Sequence, residues 1–209
     1  MTSPPPGGYE HDAQPVKAAL AAAGIETRDF GRFVNRPVPG VIEPADFDAV
    51  RALPVLLEWL PRVSNEQVRE AIVRHLAVKT GKSQPADTLI EEYRRPGSAN
   101  HKWAVADALA FACTSQHFAA ITGLAADSSQ GISRQPLIAM LWRVKTPAAD
   151  QVLLDALGCP DTALAAMSAL RRRLGSTQAR QHISPLLSHP DQRVRRAARQ
   201  QLQRIDKRT

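Results

Sequence analysis

Two cysteines are too few for a disulfide framework or a thiolate metal cluster in a chain of 209 residues. No apolar run reaches the ~18 residues that a spanning helix needs. Residues 1–14 hold prolines, glycines and acids, with no basic flank ahead of a long hydrophobic segment. A secretory signal is therefore not expected, and the expected location is cytoplasmic. The six histidines include no pair at the one-turn spacing of a metal-binding helix. Glycine-rich phosphate loops, a dinucleotide fingerprint and a serine nucleophile elbow are all missing. No catalytic constellation, metal or cofactor is expected. Cys113 lies in the apolar segment 108–113 and reads as a buried structural thiol. Cys159 precedes Pro160 at a helix boundary and reads as more exposed.

What is present is a period. Ile90, Ile121, Val152 and Ile183 stand 31 residues apart. So do Ala104, Gln135, Ala166 and Ala197, and so do Leu109, Met140, Arg171 and Leu202. Within each period, apolar residues recur at three- and four-residue intervals, which fits helices better than strands. Val55, Leu56, Trp59 and Leu60 make one such stripe, and Val68, Ala71, Ile72 and Leu76 make another. An amphipathic helical pair cannot bury its own apolar surface, so a repeated pair predicts stacking. The expected fold is all-α: a right-handed α-solenoid of about five helical pairs. The first pair begins near residue 50, and the others span roughly 84–113, 116–145, 147–174 and 177–205. Asp161 and Asp191, each after a proline, are candidate N-cap acceptors. Residues 1–15 read as a flexible tail and 16–48 as a short helical cap, with helices over 16–23 and 29–35. The solenoid covers 49–205, and 206–209 form a C-terminal tail.

The segment from Gln192 through Arg193, Val194, Arg195, Arg196, Ala197 and Ala198 to Leu202 resembles the second helix of a HEAT repeat. Gln67, Val68, Arg69, Glu70, Ala71 and Leu76 match the same pattern. Over 50–205 the chain resembles short bacterial HEAT-repeat proteins of the phycobilisome-lyase-like repeat class. The stretches 50–63 and 102–109 are similar to an uncharacterised actinobacterial group within it. The resemblance implies a packing scaffold and carries over no lyase activity. It also implies that Arg69, Lys102 and Arg195, at the recurring second-helix position, tie adjacent repeats together. The ladder would end in the last repeat and leave Arg195 more available.

Charge is distributed unevenly. Residues 161–209 hold 11 Lys/Arg against 3 Asp/Glu, or +8, while 1–160 hold 16 against 17, or −1. Arg171, Arg172 and Arg173, with Arg193, Arg195, Arg196, Arg199 and Arg204, form a basic patch suited to a nucleic-acid backbone, another polyanion or an acidic protein. Trp103 and Arg134 occupy matching helix positions. Asp107 follows Trp103 by four residues, which places both on one helical side. Trp142 and Arg143 lie in the following second helix. These aromatics and arginines could supply stacking and anion contacts. Trp103, Asp107, Trp142 and Arg143 are also faintly similar to the site of alkylpurine DNA glycosylases built from HEAT-like repeats. That similarity implies an acidic role for Asp107, aromatic roles for the tryptophans and a backbone contact for Arg143. A full aromatic cleft is not recognisable. The function expected first is a non-enzymatic protein-binding or scaffolding module with a protein partner and no membrane association. Nucleic-acid binding through the basic repeats is the alternative, and glycosylase activity stands behind both.

Overall fold

The computed structural model describes residues 8–25, 49–78 and 84–207. All regular structure among them is helical: α1 (Tyr9–Ala22), α2 (Ala49–Trp59), α3 (Glu66–His75), α4 (Gln84–Arg94), α5 (Ala99–Ala112), α6 (Phe118–Ala126), α7 (Gln135–Met140), α8 (Pro147–Asp155), α9 (Ala163–Ile183) and α10 (Gln192–Asp206). Short 3-10 turns extend or join several of them. The chain forms two compact units, Met1–Thr114 and Ser115–Thr209.

In the first unit α1 packs on α2 and α3, α3 packs on α5, and α4 packs on α5. Leu20, Leu56, Leu60, Ile72, Leu76, Leu89, Tyr93 and Leu109 form its interior. In the second unit α6 packs on α7 and α8, α9 on α7 and α8, and α10 on α9. Ile121, Leu137, Ile138, Leu141, Met167 and Ile183 lie inside it. The periodic positions explain this arrangement. Ile90, Ile121, Val152 and Ile183 are all buried, as are Ala104, Ala166, Ala197, Leu109, Met140 and Leu202. Gln135 and Arg171 are half-buried.

Local signals set the helix ends. Asn65 accepts from the amides of Gln67 and Val68, Ser98 from His101, and Thr146 from Ala149. Such caps satisfy the orphan donors of a first turn. Asp191 caps α10 through the Arg193 amide at 2.7 Å, as its place after Pro190 predicts. Asp161 departs from expectation. Thr162 holds the cap position of α9, and Asp161 instead accepts from the Arg193 side chain at 3.0 Å. Gly175 interrupts α9 with φ +80° and ψ 169°. The two helical pieces on either side of it correspond to the pairs expected to end at 174 and to begin at 177.

Three other expectations are revised. The helix expected over 16–23 begins at Tyr9, so residues 9–15 are helical and not part of a flexible tail; Ala13 and Val16 are fully buried. The buried stripe of α2 is Ala52, Leu53 and Leu56, continuing to Leu60, while Val55 and Trp59 are half-buried. Leu56 and Leu60 of the expected stripe are thus buried, and Val55 and Trp59 lie on its flank. α10 ends at Asp206, within the expected C-terminal tail. The expected helix over 29–35, the rest of the cap beyond residue 25, and residues 1–7 lie outside the described residues. Among the described residues no helix is long and apolar enough to cross a membrane.

Two glycines are expected to respond oppositely to the same change. Gly175 holds a conformation that side chains rarely adopt, so Gly175→Ala should destabilise by about 1–3 kcal/mol. Gly123 lies in α6 with open space around its Cα, so Gly123→Ala should stabilise by about 0.5–1 kcal/mol. Thermal denaturation of both variants, read as opposite shifts in Tm, checks the pair.

Candidate functional site

Polar groups inside the first unit are committed to structure. Arg69 on α3 is buried, and its Nε and Nη2 lie 2.7 and 2.6 Å from Glu92 Oε1 on α4. His101 on α5 places Nε2 2.7 Å from the same oxygen. With the carboxylate ionised, the imidazole is the donor in that bond. Arg95 completes the cluster at Glu92 Oε2. Burial alone would raise the Glu92 carboxyl. The His101 hydrogen bond and the Arg69 charge outweigh it and hold the group below the usual carboxylate range. Three helices are thereby joined at one carboxylate. Three further bonds, from two carboxylates, link helix starts: Asp12 accepts from the Ser64 and Asn65 amides, and Glu66 accepts from the Ser98 amide.

Arg69 thus ties neighbouring pairs as expected, and His101 of the next pair meets it at the same carboxylate. Lys102, expected in that role, lies with Nζ 5.5 Å from the Tyr93 ring centroid. Sequence reasoning missed both Glu92 and His101. The available signal was the pair of acids Glu91 and Glu92 between Ile90 and Tyr93, of which Glu92 falls beside the apolar positions Leu89 and Tyr93 of α4.

Trp103 and Asp107 are both half-buried on α5. Burial raises the Asp107 carboxyl above its usual range, and Arg74 on α3 opposes the shift. Arg74 itself is bonded to Glu70 at 2.6 Å. Trp142 and Arg143 belong to the second unit. The four residues of the glycosylase similarity therefore divide two and two between the units.

The second unit gives the expected basic residues different surroundings. Arg134 is buried and caps the end of α6 through the Ala125 carbonyl at 3.0 Å. Arg173 forms a two-point pair with Asp150 at 2.9 and 3.2 Å. Arg195 donates to the carbonyls of His189 and Pro190, both at 2.7 Å, so it is held at the start of its own helix and not left available. Arg143 lies over Phe118 at 5.7 Å, and Arg172 lies over Trp142 at 5.4 Å. Arg171 is half-buried, whereas Arg196 and Arg199 are exposed. Trp142 is 36% exposed. The geometry thus unites Trp142 with Arg172, a pair that helix spacing could not reveal. No protein-family model, curated protein or solved structure matches this chain.

No group of three or more His, Cys, Asp or Glu could hold a metal ion among the described residues. Cys113 is buried and Cys159 partly exposed, as the sequence suggests. Burial acts to raise the Cys159 thiol, but bonds from Thr162, Asp161 and Arg134 outweigh it and lower the thiol below its usual value.

Two outcomes follow from the buried charges. Arg69→Met removes the main cation from a buried carboxylate and should cost about 3 kcal/mol or more, whereas Arg196→Met at the surface should fall within about 0.5 kcal/mol. Chemical denaturation compares them. His75 supplies the second outcome. Burial pushes its imidazole down from 6.5 to about 4. Between those values the unfolded chain binds the extra proton, so stability present above 6.5 is lost as pH falls. The loss from pH 7 to pH 5 should be about 2 kcal/mol. The lowered Glu92, Glu66 and Asp12 carboxyls act in a separate, lower window, below their usual values of 4.5 and 3.8. His75→Leu should flatten the loss above pH 5 in urea titrations; an unchanged slope would count against this assignment.

Proposed function

We propose that this chain is a non-enzymatic binding module of HEAT-like helical pairs that docks a protein partner and acts as a scaffold. The right-handed α-solenoid pattern and the kinship with phycobilisome-lyase-like repeats belong to the same proposal, as does a cytoplasmic location. Its support is the 31-residue recurrence of buried positions. Further support comes from buried polar side chains that join helices, as at Glu92.

The observation that carries the reading is the Trp142–Arg172 pair. Trp142 is partly exposed, and the Arg172 guanidinium lies 5.4 Å from its ring centroid. Tryptophan and arginine are the side chains most enriched where truncation weakens protein interfaces. Stacking also holds the guanidinium without using all of its hydrogen-bond donors. The same unit exposes Ile132, Leu164 and Leu187, which a partner could cover.

Copurification from native lysate, repeated across salt concentrations, tests the proposal. A reproducible protein partner is expected, and Trp142→Ala should weaken its binding about 30-fold, the equivalent of ~2 kcal/mol at a binding hot spot. Circular dichroism should show the variant folded. Full retention of the partner by Trp142→Ala would reject the role of this pair. Absence of any reproducible partner at every salt concentration would reject the scaffold reading.

A further inference from the structure

α10 carries five arginines and one acid between Gln192 and Asp206. The acid, Asp206, is already bonded to Arg180. Arg193 bridges Asp161 and Asp191, and Arg195 is held by two carbonyls. Arg196, Arg199 and Arg204 are exposed and have no acid within ion-pairing distance among the described residues. Lys207 follows at the helix end and is also exposed.

The first unit handles its surface cations differently. Arg62, in the 3-10 turn after α2, pairs with Glu58, Arg74 with Glu70, and Arg94 with Glu91, each at a spacing of three or four residues. Such pairs add modestly to helix stability, while like charges at the same spacing subtract from it. Arg196 and Arg199 are like charges three residues apart. A face needing only solvation would be served by mixed charge. This face retains self-repulsion that a bound polyanion would relieve.

The residues between the cations identify the polyanion. Gln192, Gln200 and Gln203 are exposed on the same side of α10 as Arg196 and Lys207. The apolar residues Val194, Ala197, Ala198, Leu202 and Ile205 are turned inward and buried. The outer side therefore offers guanidinium, ammonium and amide groups and no apolar anchor. Protein interfaces concentrate their affinity in desolvated aromatic or aliphatic anchors. Phosphodiester oxygens are contacted by Arg, Lys and Gln without such an anchor. From Arg196 to Lys207 the helix advances roughly 16 Å, enough to follow several phosphates.

We infer that the outer face of α10, through Arg196, Arg199, Arg204 and Lys207, binds the phosphodiester backbone of a nucleic acid without reading its sequence. This surface goes beyond the protein-docking reading and does not depend on Trp142.

Fluorescence anisotropy of the full chain tests it with three labelled probes: duplex DNA, single-stranded RNA of equal length, and a poly-glutamate peptide of equal charge. Binding to at least one nucleic acid is expected at low salt, and the two nucleic-acid arms show which backbone is preferred. Contacts from the three arginines should contribute about 2.7 to the log–log salt slope on duplex DNA, or roughly 40-fold in affinity between about 50 and 200 mM salt. The triple variant R196Q/R199Q/R204Q should lose that part of the slope and bind at least ten-fold more weakly. R62Q/R94Q, which removes paired surface arginines from the first unit, should bind as the parent does. Trp142→Ala should also retain nucleic-acid binding, which separates this site from the protein-docking surface. No binding to either nucleic acid at low salt would overturn the inference, as would a parent slope shallower than about −2 on duplex DNA. Undiminished binding by the triple variant would do the same. Tighter binding of poly-glutamate than of both nucleic acids would replace it with an acidic protein surface.

Discussion

Every helix among the described residues is too short to stand alone. The unbroken ones run from 6 residues in α7 to 15 in α10, and α9 reaches 21 only across the break at Gly175. Isolated helices of such length are marginal in water, because nucleation is costly and few bonds follow it. Their stability must come from burial against a neighbour. That constraint organises both units: each helix turns a narrow row of Leu, Ile, Val and Ala inward, and each row is covered by another helix.

Apolar packing is not directional enough by itself to set how helices meet. Polar contacts supply direction at a few points. Glu92 gathers Arg69, His101 and Arg95 at one carboxylate. Asp161 accepts from Arg193, and Gln201 bonds to Ser168, so that α10 is held to α9 and to the loop before it. A buried ionic cluster of this kind is weak evidence for net stability, since desolvation offsets much of its attraction. Its clearer consequence is geometric, because a charge left without its partners is expensive.

The same accounting of partners exposes the surface. Most arginines here have structural employment, some in unexpected places, such as Arg134 against the Ala125 carbonyl and Arg195 against the turn before its helix. Among the described residues, the stacked Trp142–Arg172 pair and the acid-poor side of α10 face outward. They differ in chemistry, since one contains a large aromatic surface and the other none. They therefore suit different partners. The overall charge of the chain does not distinguish them; the distribution of ion pairs does.

How much was legible beforehand follows from the range of each signal. Periodicity and capping act within a few residues, so the inward positions Val68, Ala71, Ile72 and Leu76, the Asp191 cap and the helix boundaries near 174 and 177 could be read from neighbours in the chain. The 31-residue recurrence extended that reading to paired helices, and composition alone located the positive charge in the last quarter. Partner choice acts through space. Asp161 could not be assigned to Arg193, nor His101 to Glu92, from spacing along the chain. Trp142 and Arg172 lie on separate helical segments, and only packing brings ring and guanidinium together. By itself the sequence determined where helices form and which sides are apolar, because those depend on local backbone and side-chain periodicity. Only the tertiary structure decided which charges are neutralised and which remain for binding, because ion pairing depends on proximity that the folded chain alone creates.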